Sequence, residues 1–316
     1  MIRFIVHRLA YLLPVLLGVA LLTFLIASLL PGDIATVMLG DQATPETLAA
    51  LRHDLGLDKP ILSRFFGWLG HVLQADLGRS IRTGQSVAEA IVERLPVSIE
   101  LMVLAEIGAL GVAIPLAIVC AVYQGGAFDR FITGAAFASL SVPSLLSAIL
   151  LIWLFAVQLQ WLPATGYVPL DEDVAGNLRS FLLPALTLAS TEWPALMRVL
   201  RSDMISTLNE DYIAMARAKG LKPARILLVH ALKPSSLTLV TVTGINIARL
   251  LGGALIVEYI FALPGLGRLL VSSIYGRDLI VLQGVVLFVA ASFVFVNAAV
   301  DMLYAVLDPR IRRGRQ

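Results

Sequence analysis

The sequence predicts an all-α, polytopic membrane protein with six transmembrane helices. Three observations carry that reading. Of the 316 residues, 58% are hydrophobic and only 15% charged; mean hydropathy is +0.87; and the apolar residues gather into six long runs. A soluble domain cannot hide that much apolar surface, whereas a lipid bilayer accepts it. The net charge of +2 gives no reason to expect nucleic acid as a partner. Cys120 is the single cysteine, which excludes an intramolecular disulfide and a cysteine-based metal site.

The runs fall at about 9–30, 97–123, 131–158, 181–200, 236–258 and 280–307, each able at ~1.5 Å per residue to cross a ~30 Å apolar core. Leu9 to Leu30 is longer than the apolar part of a secretory signal, so residues 1–30 read as a short cytoplasmic N-terminus and an uncleaved first span. Basic residues set the orientation. Arg3 and Arg8 precede the first span, Arg130 separates the second and third, and Arg310, Arg312, Arg313 and Arg315 fill the tail. The loop between the fourth and fifth is also basic, while the loop near 159–180 holds Asp171, Glu172 and Asp173 against Arg179. The positive-inside bias then expects both termini and the basic loop in the cytoplasm, and segment 31–96 outside.

Segment 31–96 reads as a helical insert rather than a linker. Thr44 with Pro45 opens one helix, whose stripe Leu48, Leu51, Leu55 ends at Gly56. Pro60 opens a second with Ile61, Phe65, Leu69 and Val72 on one face. Val87, Ile91 and Leu95 mark a third, expected to break at Pro96 before the second span. Residues 97–316 make a five-span core with a cytoplasmic loop at about 201–235. Within the spans, Pro115 and Pro143 are candidate kinks, and Trp153 and Trp161 are candidate interface anchors.

The basic loop has a defined local grammar. Asn209 suits an N-cap, Glu210 and Asp211 place negative charge on a first helical turn, and Lys219 sits in the last. Gly220 suits the left-handed position that ends the helix, and Pro223 the start of a second short helix through Arg225 to His230. Ala214, Ala216 and Ala218 would let another surface approach closely. The pattern fits a docking knob, or a loop whose charges only set topology.

Three charges lie deep inside apolar runs: Glu106, Glu192 and Arg249. Each falls ~14–17 Å below the outer surface by helical rise. An isolated charge there costs at least ~2.5–3.5 kcal/mol, so these side chains should face protein and find partners. Arg249 is expected to meet Glu106 or Glu192, as a polar layer along a path, as a structural pair, or at a contact with a second subunit. Asn297 and Asp301 share a face of the sixth span, where a structural role is favoured over a place in the path. There is no Gly-x-x-x-x-Gly-Lys-Ser/Thr loop, no His-Glu-x-x-His and no Gly-x-Ser-x-Gly elbow.

Ala216-Arg217-Ala218-Lys219-Gly220-Leu221 resembles the coupling loop of ABC importer permeases of the dipeptide/oligopeptide branch, which also carries nickel and glutathione. The likeness runs along the chain. It includes Leu30-Pro31-Gly32-Asp33, Leu55-Gly56-Leu57-Asp58-Lys59-Pro60, Asp76-Leu77-Gly78-Arg79-Ser80, Leu251-Gly252-Gly253-Ala254 and Asp308-Pro309-Arg310. One departure is Lys233-Pro234, which places a proline earlier than the family's loop does. The resemblance implies a type I importer permease fold of first-permease type, with Asp211, Ala214 and Ala216 to Leu221 contacting an ATPase. It also implies a second related permease, two ATPase subunits that hold ATP and Mg, an extracytoplasmic solute-binding protein, a bacterial inner membrane, and no cofactor on this chain. The alternative class is a gradient-driven secondary transporter using the intramembrane carboxylates.

Overall fold

The computed structural model describes residues 2–29, 44–54 and 58–307. The sequence signals Leu30 to Asp33, Leu55 to Leu57 and Asp308 to Arg310 lie outside the described residues, as do the side chains of Arg3, Arg8 and Asp301. Apart from an isolated antiparallel bridge between Arg79 and Ser86, the described chain is helical. The helices are α1 (Ile2–Leu29), α2 (Pro45–Asp54), α3 (Ile61–Leu73), α4 (Val87–Val122), α5 (Ala127–Ser141) and α6 (Ser144–Leu151). They continue with α7 (Val174–Leu208), α8 (Asp211–Ala218), α9 (Pro223–Ile260), α10 (Leu266–Tyr275) and α11 (Leu279–Leu307). In lipid, helices are the way an open chain satisfies its own backbone.

Among the described residues, three helices are long and apolar enough to cross a membrane: α4, α9 and the stretch Leu279–Val300 of α11. A fourth candidate is a bent pair, which has the form of a broken span or a re-entrant loop. The third expected span breaks at Val142-Pro143, where α5 and the helix Ser144–Gln158 meet at 103°. Pro143 has no N–H for the preceding turn and disfavours helical geometry at Val142, whose ψ is 120°. The two other expected spans are α1, apolar over its described stretch Leu13–Ile26, and the 35-residue α7, where Thr187, Ser190, Thr191 and Glu192 dilute the apolar run. One expected break is absent. Helix α4 continues through Pro96, and through Pro115, without interruption, so among the described residues the third insert helix and the second span are one helix. A proline removes one hydrogen bond and bends a helix, and neighbouring packing can hold the remainder together.

The chain divides into two compact units. One comprises residues 1–98 and 264–294. In it Phe65 and Trp68 of α3 pack on Phe24 of α1 at 5.6 Å between Phe24 and each ring. A second cluster gathers Val87, Ile91, Leu266, Val281 and Val285. Ser80 donates to Asp278 Oδ2 at 2.5 Å, and Ser98 Oγ accepts from the Leu266 N–H at 2.9 Å. Gly78 has φ +86°, and a Cβ there would sit 2.7 Å from the Ile280 side chain. Backbone angle and space both require glycine. Helix α10 was not anticipated.

The other unit comprises residues 99–263 and 295–316. Its core is α7 laid against a stripe of alanines on α4. Ala109, Ala113, Ala117 and Ala121 recur every fourth residue and bury completely or nearly so, opposite Ala189, Leu196, Met197, Leu200 and Met204. Small side chains let the two helix axes approach where no hydrophobic drive distinguishes protein from lipid. Asp173 caps α7 by accepting from the Ala175 N–H at 2.9 Å.

Candidate functional site

The knob after α7 is built differently from its sequence reading. Asn209 is not an N-cap. It is the C-cap of α7, its side chain donating to the Ile205 carbonyl at 3.0 Å, and Glu210 occupies the N-cap of α8 without a side-chain bond. Helix α7 simply runs farther than its apolar pattern. Lys219 is the C-cap of α8, and Gly220 takes φ +71° as expected. The N–H groups of Gly220 and Leu221 turn back to the Arg217 and Ala216 carbonyls, closing the helix end.

Alternation along α8 separates two faces. Ile213 and Ala216 are buried against Ile226, with Leu208 and Leu221 packed around them. Ala216 therefore belongs to the knob's own core and is not an approach surface. Asp211, Ala214, Met215, Arg217, Ala218 and Lys219 face outward. The second short helix is also absent: Pro223 opens α9, which widens into a π-helical stretch over Ile226–Ala231 and continues to Ile260. Pro234 lies inside that helix, and its missing N–H leaves the His230 carbonyl four residues back without the usual donor. The Tyr212 hydroxyl of α8 donates there, at 3.2 Å. The early proline thus fastens the knob to the span.

The intramembrane charges come together. Arg249 Nη2 donates to Glu192 Oε2 at 2.6 Å and reaches Asn246 Oδ1 at 3.4 Å. Of the two acids expected to pair with Arg249, the contact falls to Glu192. Glu106 stands near Glu192, Arg249 and Thr243. Among the described residues, neither of its carboxylate oxygens, nor Thr243 Oγ1 or Asn246 Nδ2, has a hydrogen-bond partner. Asn297 lies half-buried on α11.

A further pair went unread in the sequence. Asp129, in the first turn of α5, receives both Nε and Nη2 of Arg201 at 2.6 Å and the Gly125 N–H at 2.9 Å. Arg201 and the Gly125 amide hold its carboxyl below the usual carboxylate range, against the opposing effect of burial. Three residues earlier on α7, Arg198 stacks over Phe137 of α5 at 5.0 Å.

Residues 113–313 match the family described as the binding-protein-dependent transport system inner membrane component, and residues 1–102 match its N-terminal family. The chain belongs to that family. This permease is 44% identical over 312 residues to a putative peptide transport system permease protein of Brucella abortus, covering 99% of both chains. It is 37% identical to the dipeptide transport system permease protein of Escherichia coli K12 over the full length of both. A probable peptide ABC transporter permease protein of Sinorhizobium fredii is 36% identical across 98% of this chain and 99% of its own. The permease is therefore a multi-pass inner-membrane subunit of a binding-protein-dependent ABC importer, a transport component and not itself an enzyme. That membership removes the gradient-driven alternative.

Proposed function

We propose that this permease imports peptides, forming half of a translocation path whose other half is a second, related permease. Two ATPase subunits holding ATP and Mg would act on the outer face of α8, and a solute-binding protein would deliver cargo on the opposite side. Both termini and the knob then lie in the cytoplasm, and segment 31–96 lies outside. The observation that carries the reading is the knob itself. An eight-residue helix with a small core of its own, hydrogen-bonded through Tyr212 to α9 and continuous in chain with α7, can pass a push to the two helices that carry Glu192 and Arg249.

In this reading Asp211, Ala214, Arg217, Ala218 and Lys219 meet the ATPase, while Ala216, Gly220 and Leu221 shape the knob. Glu106, Glu192 and Arg249 line the path, and Asn297 and Asp301 serve structure. The test is mild-detergent purification of the tagged permease from its native membrane with mass spectrometry of what accompanies it. An ATPase and a second permease should co-purify, and deleting residues 209–234 should release the ATPase while the chain remains membrane-inserted. ATPase retention in the deletion variant would sink the coupling role. Peptide cargo is tested separately, by uptake of a labelled dipeptide into proteoliposomes carrying the whole transporter.

A further inference from the structure

Arg249 differs from the two carboxylates around it. Its side chain is 60% exposed, against 6% for Glu192, and Glu106 is buried. Only Nη2 is engaged, by Glu192 and more loosely by Asn246, so Nε and Nη1 donate to nothing among the described residues. The surface of α9 beside it is also bare. Ile245, Gly252, Gly253 and Ile256 are all exposed, and a Cβ added at either glycine would meet nothing within 4 Å. The guanidinium is held by one nitrogen and overhangs an open strip of helix, in a stretch that helical rise along the sequence places inside the fifth span.

A guanidinium fixed in this way has the chemistry of a carboxylate receptor. Its charge is permanent, its donors lie in one rigid plane, and anchoring one nitrogen orients the others in advance. Charge-assisted bonds to a carboxylate are the strongest it can make. Surrounding lipid offers no such acceptor, so an exposed cation at this depth calls for an occupant. We propose that Arg249 receives a carboxylate of the solute in transit, with Glu192 and Asn246 as the positioning residues that aim it. The proposal rests on the peptide reading above, because a peptide with a free C-terminus carries that group.

The test uses the complete transporter with its binding protein in proteoliposomes, taking up radiolabelled dialanine. Arg249→Gln should lower uptake about tenfold or more while all four membrane-associated subunits still co-purify, and Arg249→Lys, which keeps the charge and loses the planar fork, should recover only part of it. Glu192→Gln should raise KM for dialanine more than it lowers kcat, with Glu192→Asp rescuing. Uptake by Arg249→Gln at the wild-type rate overturns the proposal. So does parallel loss of uptake and assembly in both Arg249 variants, the mark of a subunit contact.

A second measurement covers failure to fold. In a Cys120→Ala background, Arg249→Cys in the assembled complex should react with a water-soluble anionic methanethiosulfonate. Protection from it would place position 249 against a partner chain or lipid and overturn the assignment. Should the wild-type transporter take up no dialanine, the peptide reading falls and takes this one with it. Wild-type uptake undisturbed by Arg249→Gln overturns this one alone.

Discussion

Two arginines of the same unit, Arg201 and Arg249, each meet a buried carboxylate at 2.6 Å, yet the surroundings of the pairs are opposite. Asp129 is bound through both oxygens by a side chain that is only 24% exposed, and a backbone amide completes its shell. Glu192 is bound through one oxygen by a side chain 60% exposed, beside a second carboxylate with no partner. The first arrangement leaves little for either group to gain elsewhere and fastens α5 to α7. The second leaves donors and acceptors unspent. A matched buried pair holds structure, and an unmatched one is open to exchange.

Asp129→Ala should do the most damage, because it strands a largely buried guanidinium. A loss of about 3–5 kcal/mol is expected, read as the melting temperature of the detergent-solubilised complex, with partial recovery in the Asp129→Arg, Arg201→Asp exchange. Glu192→Gln should cost about 1 kcal/mol or less in the same assay, since Arg249 can turn toward solvent or solute. Equal losses would erase the contrast between the pairs.

Acid should sharpen it. Asp129 is held below its unfolded value of about 4, so its contribution is fully present above that pH and is lost as pH falls through the lower folded value. The wild type should therefore lose stability below about pH 4 relative to Asp129→Asn. A constant difference between them across that range would contradict the assigned cause. Tyr212→Phe, which removes one neutral hydrogen bond at a half-exposed site, should cost about 0.5–1.5 kcal/mol. Asn209→Ala should be smallest, within about 0.5 kcal/mol, because its side chain bonds an exposed helix end. A loss of about 1 kcal/mol or more would restore the N-cap role that the sequence suggested.

What could be read from the chain was whatever is local. The apolar runs located the long helices, Pro143 marked the sharp bend between α5 and α6, and Gly220 supplied the left-handed residue that its turn needs. Pro96 misled, and Pro234 left the exit of the knob open, because a proline's effect inside a helix depends on what lies alongside. At Pro234 the freed His230 carbonyl is taken by Tyr212. At Pro194 the Ser190 carbonyl, deprived of its donor in the same way, accepts from Ser139 Oγ at 2.6 Å. Asp129 was illegible for a related reason: its partner is 72 residues away, and beside Arg130 it looks like an ordinary loop charge. Ala216 was assigned to the wrong face, although spacing alone separates it from Ala214 and Ala218, which lie one turn apart on the opposite side.

The π-helical stretch Ile226–Ala231 has a mechanical consequence. It holds one residue more than the α-helix on either side needs, like slack in a rope. If that slack were taken up or moved along, the helix beyond would turn by about 100° and advance by about 1.5 Å relative to the knob, with its backbone bonds re-formed at each stage. Arg249 lies on that far portion. The join between knob and span is thus a place where a push can become a rotation.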